Sequence, residues 1–158
     1  MSLGHRVYVR KKYIDIYREL RTDKPSSPRI FKENKDLFTL CCTIGFNFGM
    51  KSNELKNTEM LLWSGTLDEH QDTVLKAIAI KSTKEKNLSI LDNVEDVYRI
   101  AELYADHGME ILIEELLKPY IKEQEDGTLS IVYNEKADLL KAIIHYVDSL
   151  KEESNPFD

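Results

Sequence analysis

Residues 34–48, NKDLFTLCCTIGFNF, carry no charge after Asp36 and are apolar on nearly every side of a helix. Asn34 can cap the start of this helix, and Gly49 can end it. A helix that is hydrophobic all round is typical of the centre of a protein. The sequence therefore predicts one buried, central helix over these residues. Its expected core contacts are Leu37, Phe38, Cys41 and Ile44.

Apolar residues at helical spacing predict five further helices around the central one. They lie near residues 12–21, 68–82, 93–107, 109–118 and 135–150. Gly108 is expected to interrupt the chain between the two helices that flank it. The predicted fold class is therefore mainly α. We expect a single helical domain of about six helices over residues 1–158, with residues 151–158 as a flexible tail.

A short β-strand is predicted near the start of the chain. Arg6–Arg10 alternates between polar and apolar residues and is rich in residues that favour strands. Residues 128–133 alternate in the same way and are one candidate partner for this strand. Glu59–Trp63 fits a short extended segment and a helical turn equally well, so its structure stays open.

The composition is typical of a folded domain. The chain has 158 residues, of which 42% are hydrophobic and 32% are charged, which excludes a disordered or low-complexity protein. Its longest nearly uncharged run, Leu37–Met50, is too short to cross a bilayer. The chain does not open with a charged–apolar–small leader, and the adjacent Cys41 and Cys42 do not suit a disulfide. We therefore expect a cytoplasmic protein without a membrane partner.

Charge is divided unevenly along the sequence. Residues 1–35 hold ten Lys/Arg against four Asp/Glu, a net charge of +6, whereas residues 36–158 carry −12. This pattern indicates either a basic strand–helix segment that binds a polyanion or one that docks on the acidic body of its own chain. Both interpretations stay open. The candidate residues for contact with DNA or a partner protein are Arg6, Tyr8, Arg10, Lys11 and Lys12.

Patterns for cofactor, metal or nucleophile chemistry are missing from the sequence. The four histidines are scattered, and neither a His-x-x-x-His pair, a Cys-x-x-Cys pair nor a Gly-rich phosphate loop occurs. His107, just before Gly108, is expected to cap the end of a helix. Cys41 and Cys42 lie in the middle of an apolar helix, where burial makes thiols unreactive. We therefore expect no cofactor, no metal site and no catalytic residue.

One tripeptide keeps an enzymatic alternative open. Glu54-Leu55-Lys56 matches the E-x-K pattern of many restriction-type nucleases, in which carboxylates bind a divalent metal beside a lysine. Asp36, upstream of it, could supply a further carboxylate. Such residues normally lie on neighbouring strands, whereas Asp36 here opens an apolar helix. The alternative is a metal-dependent nuclease.

The order of a strand, a basic helix and an apolar helix suggests a second alternative. In ribbon-helix-helix regulators a dimer forms a two-stranded ribbon, which enters the major groove and presents alternate side chains to the bases. Arg6, Tyr8 and Arg10 would share one face of such a strand. This alternative requires a homodimer. The long Pro-containing loop between the two helices and the long chain after them depart from that pattern.

Several segments together resemble a known family. They are Arg29–Phe38 (RIFKENKDLF), Ile44-Gly45-Phe46, Leu62-Trp63-Ser64, Lys76–Ile80 (KAIAI) and Ile100–Gly108 (IAELYADHG). Through them the chain resembles the Dnd system-associated protein 4 family, which accompanies bacterial DNA phosphorothioation genes, over about residues 7–117. The resemblance implies a non-enzymatic accessory role in DNA sulfur modification or in the phage restriction linked to it, through DNA or another protein of the system. It implies no active-site residues.

Overall fold

The architecture is mainly α-helical, as predicted, with two small antiparallel strand pairs. The computed structural model describes residues 4–22, 29–49, 51–83, 86–132 and 136–153. Its strands are β1 (Arg6–Arg10), β2 (Thr58–Trp63), β3 (Ile121–Glu123) and β4 (Leu129–Ile131). Its α-helices are α1 (Ile14–Arg21), α2 (Asn34–Asn47), α3 (Glu69–Ser82), α4 (Val94–Leu112) and α5 (Lys136–Glu153).

Helix α2 is the central helix, and its predicted core is confirmed. Leu37, Phe38, Cys41 and Ile44 are each at most 1% exposed. The predicted cap at Asn34 is wrong by one residue, because Glu33 caps the helix. The Glu33 side chain accepts the N–H of Asp36, and Asp36 Oδ2 accepts the N–H of Glu33 at 3.0 Å. This reciprocal pair satisfies two N–H groups that have no partner within the helix.

Helices α2 and α4 touch through their backbones at Gly45 and Gly108. A Cβ atom added to Gly45 would overlap the carbonyl oxygen of Tyr104, and one added to Gly108 would overlap that of Cys41. Gly108 therefore lies inside α4, and the predicted interruption at this residue is wrong. The close packing of the two helices outweighs the roughly 1 kcal/mol that a glycine costs within a helix. His107 consequently lies within α4 and does not cap its end.

The expected partner of the first strand is also wrong. β1 pairs with β2, in the order Arg6 opposite Trp63 to Arg10 opposite Thr58, and the register shifts between Val7 and Tyr8. Glu59–Trp63, which fitted either a strand or a turn, is thus extended. β4 pairs instead with its neighbour in sequence, β3, through a turn at Gly127 with a φ of +85°. A short loop of this kind closes at a lower entropy cost than a pairing with the distant β1.

The C-terminal helix is longer than predicted. α5 includes residues 151–153, which were expected to be flexible, and residues 154–158 lie outside the described residues. The buried Lys136 anchors the start of α5, because its Nζ donates to the carbonyl of Thr22 at 2.8 Å. Most of the predicted Pro-containing loop, residues 23–28, is likewise outside the described part of the chain. None of the described helices combines the length and the apolar character that spanning a bilayer demands.

The contact at Gly108 predicts a strong effect of one added methyl group. Gly108→Ala should lower the free energy of unfolding by about 3 kcal/mol, because the Cβ would push the backbones of α2 and α4 apart. Gly49→Ala is the matched control: no atom lies near a Cβ there, so it should cost only about 1 kcal/mol for its positive φ. Urea denaturation measures both. Equal losses in the two variants would contradict a backbone contact between the helices.

Candidate functional site

An open cleft of about 700 Å³ lies where β1 ends. Four basic side chains and two acidic ones line it, together with Asn57, Thr58 and the turn between β3 and β4. The basic residues are Arg10, Lys11, Lys12 and Lys56, and the acidic residues are Glu54 and Asp126. The charged side chains of the cleft therefore carry a net positive charge, although the protein as a whole is acidic.

Three separate segments of the chain meet in this cleft because of local backbone geometry. The N–H of Lys11 donates to the carbonyl of Asn57 at 2.7 Å, which extends the pairing of β1 and β2 beyond the strands themselves. Asn57 has a φ of +53°, and this turn into β2 brings Lys56 to the cleft. On the other side, Thr128 donates its N–H to Asp126 Oδ1 at 3.0 Å and so closes the β3–β4 turn.

Arg10 is held at the cleft by a buried carboxylate of α4. Its Nε lies 3.1 Å from Asp106 Oδ1, and the Asp106 side chain is only 1% exposed. The other oxygen of Asp106 accepts the hydroxyl of Ser52 at 2.5 Å. Burial raises the pKa of Asp106 above its ordinary value, while Ser52 and Arg10 act in the opposite direction. Arg10 thus has a structural partner, and its charge is partly neutralised inside the protein.

A second carboxylate of α4 fixes the middle of β1. Glu102 Oε2 accepts the N–H of Tyr8 at 2.8 Å, and both Glu102 oxygens accept from Nη1 of Arg99, at 2.9 and 2.7 Å. The Nη2 of Arg99 in turn donates to the carbonyl of Arg6 at 2.5 Å. Glu102 is 6% exposed, and its burial raises its pKa to about 7 despite these donors. Side chains of α4 therefore occupy the edge of β1 that faces away from β2.

The structure places the five predicted contact residues in two groups. Arg10, Lys11 and Lys12 border the cleft. Arg6 instead lies over the ring of Trp63, 5.2 Å from its centroid, and Tyr8 packs under the guanidinium of Arg99 at 5.4 Å.

Sequence reasoning did not group the first three with the rest of the cleft. In sequence, Lys56 stands out only as part of the E-x-K tripeptide, and the turn at Asp126–Thr128 has no feature of a contact surface. The Asp-Gly pair at residues 126–127 is a turn signal, but no local pattern shows that this turn reaches β1.

The two alternative sites fare differently. A ribbon-helix-helix dimer needs a free edge on β1, and both edges are occupied, by β2 and by Arg99 and Glu102. The ribbon-helix-helix interpretation is therefore wrong. Of the nuclease residues, Glu54 and Lys56 both line the cleft, but Asp36 is engaged at the start of α2 and by the Gln71 amide at 2.8 Å. Among the described residues, no three His, Cys, Asp or Glu side chains converge as a metal site would require.

The two cysteines are buried in the core. Both have no measurable exposure, and burial raises the pKa of Cys41 to about 12 and that of Cys42 further still. A hydrogen bond to Tyr17 only partly offsets this rise at Cys41. Neither thiol has the exposed, basic surroundings of a reactive cysteine.

Comparison with known protein families gives a match over most of the chain. The family DNA sulphur modification system-associated protein 4 matches residues 6–144. The match extends beyond the segments that carry the resemblance in sequence and includes β3, β4 and the first half of α5. No curated protein and no solved structure matches the chain.

The raised pKa of Glu102 predicts a dependence of stability on pH. The folded protein binds more protons than the unfolded chain between the ordinary pKa of 4.5 and about 7, so the free energy of unfolding falls as the pH rises through this window. Glu102→Gln keeps an acceptor for Tyr8 and removes the titration. Between pH 5 and pH 8 the wild type should lose up to about 3 kcal/mol more than this variant in urea denaturation. The exposed Glu95→Gln is the control, and parallel curves for all three proteins would contradict the expectation.

Burial of the thiols predicts that they are chemically silent. In native buffer an aromatic disulfide reagent should label neither cysteine, and both should react when the protein unfolds. Cys41→Ala combined with Cys42→Ala should cost about 1–2 kcal/mol of stability through lost packing and leave ligand binding unchanged. Fast labelling of the folded protein would show that a thiol is accessible after all.

Proposed function

The chain belongs to the DNA sulphur modification system-associated protein 4 family, and we propose that it serves this system as a non-enzymatic accessory protein that binds the DNA backbone. The family is associated with a DNA sulphur modification system, also known as a Dnd system. The proposed contact is the cleft at the end of β1, with Lys11, Lys12 and Lys56 as the phosphate-binding residues. The role extends to DNA sulfur modification itself or to the phage restriction linked to it.

The observation that carries this proposal is the group of three lysines from two distant segments. Within the described part of the chain, none of the three forms an ion pair, whereas Arg10 is paired with Asp106. Lysines that are not neutralised internally are available to replace the counterions of a phosphate backbone. This separates the two interpretations of the basic segment, because Arg10 supports the internal one and the lysines support an external one.

The acidic body of the protein supports a directed approach to DNA. Residues 36–158 carry −12, so most of the surface is repelled by phosphates. An isolated basic cleft on such a surface favours one orientation of the protein towards a polyanion. The cleft offers charge rather than a strand or helix shaped for the major groove, so binding that depends weakly on base sequence is expected.

A second candidate function is kept by one observation. Glu54 and Lys56 line the same cleft that would hold the DNA, as a metal-dependent nuclease would require. Incubation of plain and phosphorothioated duplexes with the protein and Mg²⁺ or Mn²⁺ tests it. Metal-dependent cleavage that is lost in Glu54→Gln would replace the accessory role by an enzymatic one.

The accessory role predicts salt-dependent DNA binding through the lysines. In fluorescence anisotropy, the affinity for a duplex should fall with salt with a log–log slope of about −0.9 for each phosphate that is neutralised. A variant with Lys11, Lys12 and Lys56 all changed to Ala should bind more weakly, and its slope should be flatter by about 0.9 for each phosphate that it no longer neutralises. Its melting temperature should remain that of the wild type, because the three side chains have no ion-pair partner in the described part of the chain.

The matched control removes three exposed lysines from elsewhere. Lys81, Lys118 and Lys141 change the net charge by the same amount when all three become Ala, and they lie on α3, after α4 and on α5. The control should keep the affinity and the salt slope of the wild type. If both triple variants lose the same affinity, only net charge matters and the cleft is not the contact. If neither loses any, the proposed DNA contact is wrong.

A further inference from the structure

The outer edge of β2 is the side of the β1–β2 sheet that the described residues leave open. On β2, Met60 lies opposite Tyr8. Because Tyr8 gives its N–H to Glu102 and not across the sheet, these two residues form a non-hydrogen-bonded pair. The N–H and C=O of Met60 therefore point away from β1, towards the outer edge.

A continuous groove runs along this edge. Two adjoining depressions of about 500 and 170 Å³ share Arg21, Asn34, Met60 and Leu61, and together they follow β2 from Glu59 to Trp63. The strand side of the groove is apolar and half-buried at Met60 and Leu61. An extended chain needs both features, an open row of backbone groups and apolar surface for alternate side chains.

The backbone of β2 is almost unengaged on this side. Across the described ranges, the one hydrogen bond that reaches it runs from Asn34 Nδ2 to the carbonyl of Leu61, and at 3.5 Å it is long. Asn34 Oδ1 is buried and has no hydrogen-bond partner in the described part of the chain. A buried amide oxygen that lacks a donor is costly, and an N–H from a bound chain would satisfy it.

The rim of the groove is basic. Arg21, Lys32 and Lys35 line it against a single acid, Glu33, which is 3.1 Å from Lys35. This charge is separate from the cleft at the end of β1, because the two sets of lining residues have no member in common. A segment that binds along β2 would therefore gain from carboxylates at its polar positions.

We propose that the outer edge of β2 binds an extended, acidic segment of a partner protein, which adds a third strand to the β1–β2 sheet. Main-chain hydrogen bonds to β2 supply affinity. Apolar side chains on one face of the added strand contact Met60 and Leu61, and carboxylates on it meet Arg21 and Lys32. The site does not require DNA in the cleft.

The test uses a synthetic peptide of about seven alternating Glu and Val residues, a typical strand length, and a counterpart in which Lys replaces Glu. Trp63 is the single tryptophan of the chain and lines the groove, so its fluorescence reports occupancy. The Glu peptide should change this fluorescence saturably and slow the amide exchange of Met60. The Lys peptide should do neither.

Two variants separate backbone pairing from charge. Met60→Pro removes the outward N–H and is compatible with an edge strand, and it should weaken the Glu peptide at least about tenfold. Arg21→Glu with Lys32→Glu should abolish its binding and favour the Lys peptide. The variant without Lys11, Lys12 and Lys56 should bind the Glu peptide as the wild type does, so failure of the DNA proposal leaves this test intact.

Several results would overturn the inference. They are the absence of Glu-peptide binding at millimolar concentration, equal binding of the two peptides, and normal binding by the folded Met60→Pro protein. Displacement of the peptide by a DNA oligonucleotide would also overturn it, because it would assign the groove to nucleic acid.

Discussion

The backbone contact between α2 and α4 at Gly45 and Gly108 determines where the other parts of the fold lie. Because the two helices approach without intervening side chains, α4 has one permitted position against the central helix. Arg99, Glu102 and Asp106 follow one another at helical spacing on α4 and face β1. The close approach of two helices therefore sets the position of the strand, and the strand sets the positions of the cleft and of the groove.

The unequal distribution of charge along the sequence has two structural meanings in this protein. Part of the basic segment is bound internally, where Asp106 pairs with Arg10 and the Glu102–Arg99 pair holds the backbone of β1. These carboxylates are buried, and their raised pKa values reflect the cost of burying charge. The lysines after β1 are not engaged in this way. Net charge counts both kinds of residue alike, so it could not distinguish them.

The sequence predicted those features that depend on local periodicity. The all-apolar pattern of α2 identified the core, and the alternation of Arg6–Arg10 identified β1 with Val7 and Val9 buried. It failed where a distant partner decides. Gly108 resembles a helix stop unless the neighbouring backbone at Cys41 is known, and no local signal chooses β2 over residues 128–133 as the partner of β1. The candidate site was predicted in the same partial way. Lys11 and Lys12 follow from the basic segment, but Lys56 reaches them only through the hydrogen bond between Lys11 and Asn57. The groove beside β2 could not be predicted at all, because it depends on which edge of the sheet α4 covers.

A sheet of only two strands has a further consequence. Two strands are marginally stable by themselves, so β1 and β2 depend on their neighbours for rigidity. The cleft lies at one end of these strands and the groove lies along one side, and whatever restricts the motion of β2 also restricts Lys11 and Lys56. Two ligands on such a scaffold share the entropy cost of ordering it. Their binding is then heterotropically linked, and by reciprocity each raises the affinity for the other to the same degree.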